Sequence, residues 1–277
     1  MSTRIAASTR IQETFNGARA ENRAALMPVI TAGYPSLEMS NKLLDALVEG
    51  GADIIELGVP FSDPLADGAT VQASSQKSLD NGTTLADCIE LVRAFRERGG
   101  TIPILLMGYA NPFYQYGIER LGRDAATAGI DGFLIPDLPS DESEEFQLPF
   151  RALGLDLIYF LAPTSTDRRI ADVAKRATGF IYCVALTGVT GARDQLSEEL
   201  PAYISRIRAV TDLPLTIGFG ISKPEHVAAA AGIADGVVVA SALINHLDTL
   251  PTEAQPEGAR SFVRQLADAT HRTPRQV

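Results

Sequence analysis

Three carboxylates crowd the stretch from Ile54 to Gly68. Glu56 lies inside an apolar run, and Asp63 and Asp67 follow in a loop that also holds Pro60, Pro64 and Gly68. Carboxylates can move protons or stabilise positive charge, and an apolar setting adapts them to the first task. Burial disfavours the charged form, so the pKa of a buried glutamate rises toward the range where proton transfer is efficient. Period-2 alternation puts Glu56 on the same side as Ile54 and opposite Ile55 and Leu57. The same spacing fits a structural glutamate bonded to backbone or to an arginine, and spacing alone leaves both readings open. Asp63 and Asp67 stand among turn formers, where an aspartate commonly makes an Asx turn or caps a helix. Asp67-Gly68 directly precedes a helical pattern.

A second kind of chemistry is written in glycines. Gly188-Val189-Thr190-Gly191-Ala192, Gly218-Phe219-Gly220-Ile221-Ser222 and Ala240-Ser241-Ala242 each follow an apolar run. Glycine lets backbone approach an anion closely, and Ser241 opens a short helix whose first N–H groups can point at one. These could be ordinary tight turns, but their succession late in the chain favours a phosphate site. Lys42, Lys77, Lys175 and Lys223 all avoid the predicted strand ends, which argues against a Schiff-base aldolase. His226, His246 and His271 fall in helices or near the tail, as packing or surface residues rather than a metal cluster. No Gly-x-Ser-x-Gly elbow occurs. What remains is cofactor-free acid/base chemistry by carboxylates on a phosphorylated substrate. Tyr109 and Phe219 lie at strand ends, where a flat apolar ligand would rest. Phe133 reads as core, and Tyr182 fits either role.

The elements that must position these groups follow a rhythm of helix, Gly, Asp and apolar strand. It recurs at Gly51-Ala52-Asp53, Gly129-Ile130-Asp131 and Gly232-Ile233-Ala234-Asp235. Strand candidates are 25–33, 53–57, 103–107, 130–135, 156–161, 180–185, 215–218 and 236–239. Helices are expected over 36–50, 70–80, 85–98, 117–128, 141–153, 167–177, 198–210 and 223–231. The strands are apolar on both faces, as parallel strands covered by helices must be. Eight of them alternating with helices give an α/β fold of the (β/α)8 TIM-barrel type. An extra N-terminal helix starts near Thr9, and a short helix follows strand 8. The alternative is an open doubly wound sheet, but Thr31-Ala32-Gly33-Tyr34-Pro35 is not the Gly-rich turn that fold usually carries. Leu250–Gly258 reads as a Pro/Gly linker before a last helix over 259–271. The expectation is one domain over 1–277 with an ordered core of about 9–271.

Length and charge narrow the field. At 277 residues the chain suits one such barrel, which takes ~250. A net charge of −10 argues against nucleic acid, whose phosphates demand a basic face. Cys88 and Cys183 are far apart and show no redox spacing, which fits a reducing cytoplasmic setting. The first ten residues lack the apolar core of a signal peptide, and no apolar run reaches the ~18 residues of a membrane span. The expectation is a soluble protein.

The segment from Ile54 to Gly68 resembles the signature of the tryptophan synthase alpha chain family. The likeness continues through Met107-Gly108-Tyr109-Ala110-Asn111-Pro112, Pro136-Asp137-Leu138-Pro139, Gly188–Arg193 and Gly218–Ser222, and spans about 10–270. It implies reversible retro-aldol cleavage of indole-3-glycerol phosphate to indole and glyceraldehyde 3-phosphate. It also implies Glu56 as general acid/base, Asp67 as stabiliser of the indole nitrogen, and Tyr182 beside the reacting side chain. Tyr109 and Phe219 would line the indole pocket, and Thr190, Gly191, Gly220 and Ser241 would hold the substrate and its phosphate. The resemblance further implies a beta chain partner in an α2β2 complex, to which indole passes. The pyridoxal phosphate belongs to that partner, so no cofactor and no metal are expected here. The Val59–Asp63 loop and Asn111-Pro112 would face the partner, and Gly188–Leu200 is the candidate lid. Two positions depart from the common pattern. Ala240 stands where a glycine is frequent, and a helical φ there would tolerate it. Ala69 stands where a proline is frequent, which could loosen the loop.

Overall fold

Strands that are apolar on both faces need cover on both, and a closed barrel ringed by helices provides it. The computed structural model describes residues 9–185, 199–218 and 220–271. Eight parallel strands close into a barrel in chain order. They are β1 (Ala25–Thr31), β2 (Ile55–Gly58), β3 (Ile104–Met107), β4 (Gly132–Leu134), β5 (Asp156–Leu161), β6 (Ile181–Val184), β7 (Leu215–Gly218) and β8 (Gly236–Val239). The register runs around the wall as Val29 beside Glu56 and Glu56 beside Leu105, and it closes where Met27 meets Val238.

Alternation sorts the side chains into two layers. Met27, Val29, Ile54, Leu105, Leu134, Ile158, Phe180, Tyr182 and Val238 pack together inside the barrel. Ile55, Leu57, Ile104, Leu106, Phe133, Leu157, Ile181, Cys183, Ile217 and Val237 face the helices. Phe133 is core, as its sequence setting implies, stacked on Phe150 at 4.3 Å between ring centroids. Cys88 and Cys183 are both buried and unpaired.

The outer ring is built by α1 (Thr9–Ala20), α2 (Leu37–Gly50), α3 (Ala69–Asp80), α4 (Leu85–Glu97), α5 (Ala110–Tyr116) and α6 (Ile118–Ala128). It continues with α7 (Glu144–Ala152), α8 (Asp167–Arg176), α9 (Leu200–Arg208), α10 (Pro224–Ala231), α11 (Ser241–Asp248) and α12 (Gln255–His271). Helix α1 plugs the N-terminal end of the barrel: Ile11 and Phe15 join the interior cluster, and Phe15 meets Phe180 at 5.6 Å.

The recurrent aspartates have a common task at that end. Asp53 accepts from Leu26 N on β1, Asp131 from Ile104 N on β3, and Asp235 from Leu215 N on β7. Each also meets an arginine: Arg23, Arg96 and Arg208 respectively. Arg10 and Arg19 of α1 reach Asp131 and Asp235 as well. The Gly-Asp rhythm therefore marks the closed floor of the barrel and leaves the opposite rim for chemistry.

Two expectations about elements are corrected. The supposed linker over 250–258 holds a 3-10 turn, Thr252–Ala254, and the start of α12 at Gln255. Pro256 fits there because first-turn N–H groups lack intrahelical acceptors. Helix α5 is absent from the expected set. Pro112 masks it in the sequence, yet it too sits in the first turn.

Candidate active site

The rim at the C-terminal ends of the strands is where ligands bind in such barrels. Glu56 reaches it from the middle of β2, on the interior side with Ile54. It is 0 % exposed, and among the described residues neither carboxyl oxygen has a hydrogen-bond partner. The alternative of a structural glutamate tied to backbone or arginine therefore finds no support. Burial without compensation pushes its pKa from the ordinary 4.5 up to about 8. At neutral pH the side chain is thus a neutral acid in the centre of the fold.

Tyr182 stands across the interior on β6, buried, with its ring 4.8 Å from that of Phe160. Its position depends on Gly218: a Cβ at residue 218 would lie 1.9 Å from the Tyr182 hydroxyl oxygen. Burial, and then the nearby charges of Glu56 and Asp67, hold the Tyr182 phenol well above its ordinary pKa. It stays protonated and can only donate or accept a hydrogen bond.

Asp67 arrives by the loop between β2 and α3. Val59 N donates to Met107 O at 2.7 Å, which ties the start of this loop to β3. At its other end, Tyr109 Oη accepts from Ala66 N at 2.9 Å and donates to Asp67 Oδ2 at 3.0 Å. Desolvation raises the pKa of Asp67 while the Tyr109 hydrogen bond opposes the rise. Asp63 lies on the exposed flank of the same loop, next to Leu65, which is 92 % exposed.

Tyr109 occupies the N-cap position of α5 but makes no capping bond there. Asp137, at the end of β4, supplies that bond instead by accepting from Ala110 N at 2.9 Å. Tyr109 is thereby left to reach sideways to Asp67. Sequence reasoning misses this support because α5 itself is masked; only the strand-end position of Asp137 hints at it.

For an anion, β7 and β8 end side by side. Gly220 follows β7 with φ +78°, a conformation that favours glycine. Ser241 is the first residue of α11, whose leading N–H groups lack intrahelical acceptors. Ala240 has φ −114° and ψ −88°, so the expected helical φ is not found, yet φ is negative and outside the left-handed region that favours glycine. Ala69 simply opens α3. Thr190, Gly191 and Phe219, and nearly all of the supposed lid over Gly188–Leu200, lie outside the described residues.

His226 is buried, with Nδ1 3.3 Å from Ser222 Oγ, and His246 stacks on Phe262 at 5.0 Å, so both act in packing. Among the described residues no three His, Cys, Asp or Glu side chains gather as a metal site would require. Among them, too, no helix is long and apolar enough to cross a membrane.

Comparison with known proteins gives a consistent answer. The family model described as "Tryptophan synthase alpha chain" matches residues 15–271. A tryptophan synthase alpha chain of Roseiflexus sp. (strain RS-1) is 55 % identical over 93 % of this chain and 99 % of its own. That of Chloroflexus aggregans is 50 % identical over 95 % of this chain and 98 % of its own. Among solved structures, a tryptophan synthase of Mycobacterium tuberculosis superposes with a TM-score of 0.88 at 36 % identity, covering 96 % of this chain and 99 % of that one. The alpha subunit from Legionella pneumophila str. Paris gives 0.86 at 34 % identity, covering 94 % and 98 %.

Proposed function

The chain belongs to the tryptophan synthase alpha chain family, and we propose how its residues divide the work. The reaction is the retro-aldol cleavage of indole-3-glycerol phosphate to indole and glyceraldehyde 3-phosphate, a carbon–carbon lyase step of tryptophan biosynthesis. Cleavage needs a proton on indole C3, so that indole can leave. It needs a negative charge near the indole nitrogen, which turns acidic in that tautomer. It also needs the side-chain hydroxyl to lose its proton as the C–C bond breaks.

Glu56 is the proton carrier. It gives its proton to C3 and, as carboxylate, receives the one released from the hydroxyl, so the two transfers balance. Asp67 faces the indole nitrogen, and Tyr182 lies beside the reacting side chain. Tyr109 and Phe219 flank the flat ring. Thr190, Gly191, Gly220 and Ser241 hold the substrate and its phosphate. The observation that carries this reading is the buried Glu56 carboxyl, without a hydrogen-bond partner among the described residues and protonated at neutral pH. A carboxyl left in that state is held ready for a ligand.

Membership implies a beta chain partner. We infer an α2β2 assembly in the cytoplasm, with pyridoxal phosphate confined to the beta chain and neither cofactor nor metal bound by this chain. The Val59–Asp63 loop and Asn111-Pro112 would meet that partner, and the exposed Leu65 beside them suits an apolar contact. A rival reading, a sugar-phosphate isomerase or epimerase on the same fold, has no use for aromatic residues at the rim. Incubation with indole-3-glycerol phosphate and, separately, with ribulose phosphates distinguishes the two. Indole release with no turnover of the sugar phosphates is expected, and the reverse pattern would refute the assignment.

A further inference from the structure

Helix α3 follows the Asp67 loop, and its buried serines Ser74, Ser75 and Ser78, with the exposed Gln72 and the capping Asn81, are polar groups that the reaction does not use. Ser78 Oγ donates to Ala32 O, and Asn81 Nδ2 donates to Pro35 O at 2.7 Å, so this end of the helix holds the loop after β1. Nearer the rim, Gln72 Nε2 donates to Asp67 O at 2.9 Å. Ser75 does something different. Its hydroxyl accepts from Phe61 N at 2.9 Å and donates to Phe61 O at 3.1 Å, satisfying both backbone groups of one loop residue. Two bonds from one rigid helix to one residue's backbone fix both its place and its orientation.

Phe61 in turn lies against Tyr109, with ring centroids 5.3 Å apart at 32°. Tyr109 is the residue that holds both Ala66 N and the Asp67 carboxylate. A continuous line of contacts therefore runs from Ser75 through the Phe61 ring to the Tyr109 ring and hydroxyl, and so to Asp67. Two other fastenings, Val59 N on Met107 O and Gln72 Nε2 on Asp67 O, act on the loop's backbone. The side-chain carboxylate is aimed by Tyr109, and among the described residues the ring of Tyr109 is flanked by that of Phe61.

We propose that Ser75 is a positioning residue for the cleavage reaction, acting on the Asp67 carboxylate through Phe61 and Tyr109. This rests on the reading of Asp67 as the group that faces the indole nitrogen. Removing the hydroxyl frees both backbone groups of Phe61 and lets its ring shift, so the carboxylate loses its aim while the phosphate turns after β7 and β8 stay as they are. The effect falls on kcat rather than on KM.

The test is a double-mutant cycle on indole release, run on the full chain with its beta chain present. Ser75→Ala should lower kcat about tenfold, short of the ~100-fold that an ångström of misplacement can cost. KM for indole-3-glycerol phosphate should change less than about twofold. In a Tyr109→Phe background, where the link to Asp67 is already cut, the same substitution should alter kcat less than about twofold, since only coupled residues depart from additivity. Ser78→Ala removes an equally buried hydroxyl from the same helix. It should lower the melting temperature comparably and keep kcat within about twofold. The proposal is overturned if Ser75→Ala leaves kcat intact, if it costs as much in the Tyr109→Phe background, or if Ser78→Ala costs as much. Asp67→Asn separates the two levels. Wild-type turnover in that variant would remove the reading of the site itself, whereas an inactive Asp67→Asn beside an unaffected Ser75→Ala would remove only the role of Ser75.

Discussion

A buried acid with no hydrogen-bond partner among the described residues must leave a mark on folding as well as on catalysis. The Glu56 carboxyl has a pKa of about 8 in the native chain against an ordinary value of 4.5. Below pH 4.5 it is protonated in both folded and unfolded states and makes no difference between them. Between 4.5 and about 8 the folded state holds a proton that the unfolded state has released. Stability therefore falls as pH rises, with a slope of about 1.4 kcal/mol per pH unit. Across that interval the loss amounts to about 5 kcal/mol, a large part of the ~5–15 kcal/mol that usually separates native and unfolded states. Glu56→Gln keeps the shape and removes the ionisation. Urea unfolding of both proteins from pH 5 to pH 9 measures the difference. The stability gap between Glu56→Gln and the parent should move in favour of the variant by several kcal/mol as pH rises, then flatten above about pH 8. The amide adds a constant offset, because it too meets no partner among the described residues, and this leaves the slope unchanged. Parallel stability curves for the two proteins would refute the claim that Glu56 is held neutral by burial.

Three further outcomes follow from the same geometry. Tyr109→Phe removes the hydrogen bond that keeps the Asp67 pKa down, so the acid limb of the kcat profile should move to higher pH and kcat should fall about tenfold; an unshifted limb would break the link between the two residues. Gly218→Ala places a Cβ 1.9 Å from the Tyr182 hydroxyl oxygen, so it should lower the melting temperature, at a cost of about 1–3 kcal/mol, and depress kcat/KM. A crystal structure of that variant with Tyr182 undisturbed would contradict the packing argument. Loss of the protonated form of Glu56 should bring kcat/KM down above about pH 8, and the Glu56→Asp profile should not follow the same limb.

The strands and the buried position of Glu56 are legible in the sequence. Glu56 declares itself because a charged residue inside an apolar run is costly, and alternation alone puts it on the interior side with Ile54. The Gly-Asp rhythm announces the strands, although its reason emerges only in three dimensions, where Asp53, Asp131 and Asp235 each hold a backbone N–H of a neighbouring strand. Helix α5 and the true start of α12 are hidden by Pro112 and Pro256, which read as breakers in sequence but are harmless in a first turn. The supports of the site are hidden for a different reason. Asp137 caps a helix across 27 residues, and Ser75 clasps a backbone segment 14 residues away. Neither distance has a period, so no pattern along the chain can reveal it.

A glutamate that carries the proton in cleavage of indole-3-glycerol phosphate cannot be replaced by its amide without loss of turnover. The most direct test of Glu56 in this role is indole release by Glu56→Gln, with and without a beta chain, on protein whose circular dichroism matches the parent. Loss of turnover by a factor of about 100 or more in both settings is the predicted result. Indole release by the folded variant at a rate near that of the parent would show that Glu56 is not the proton carrier.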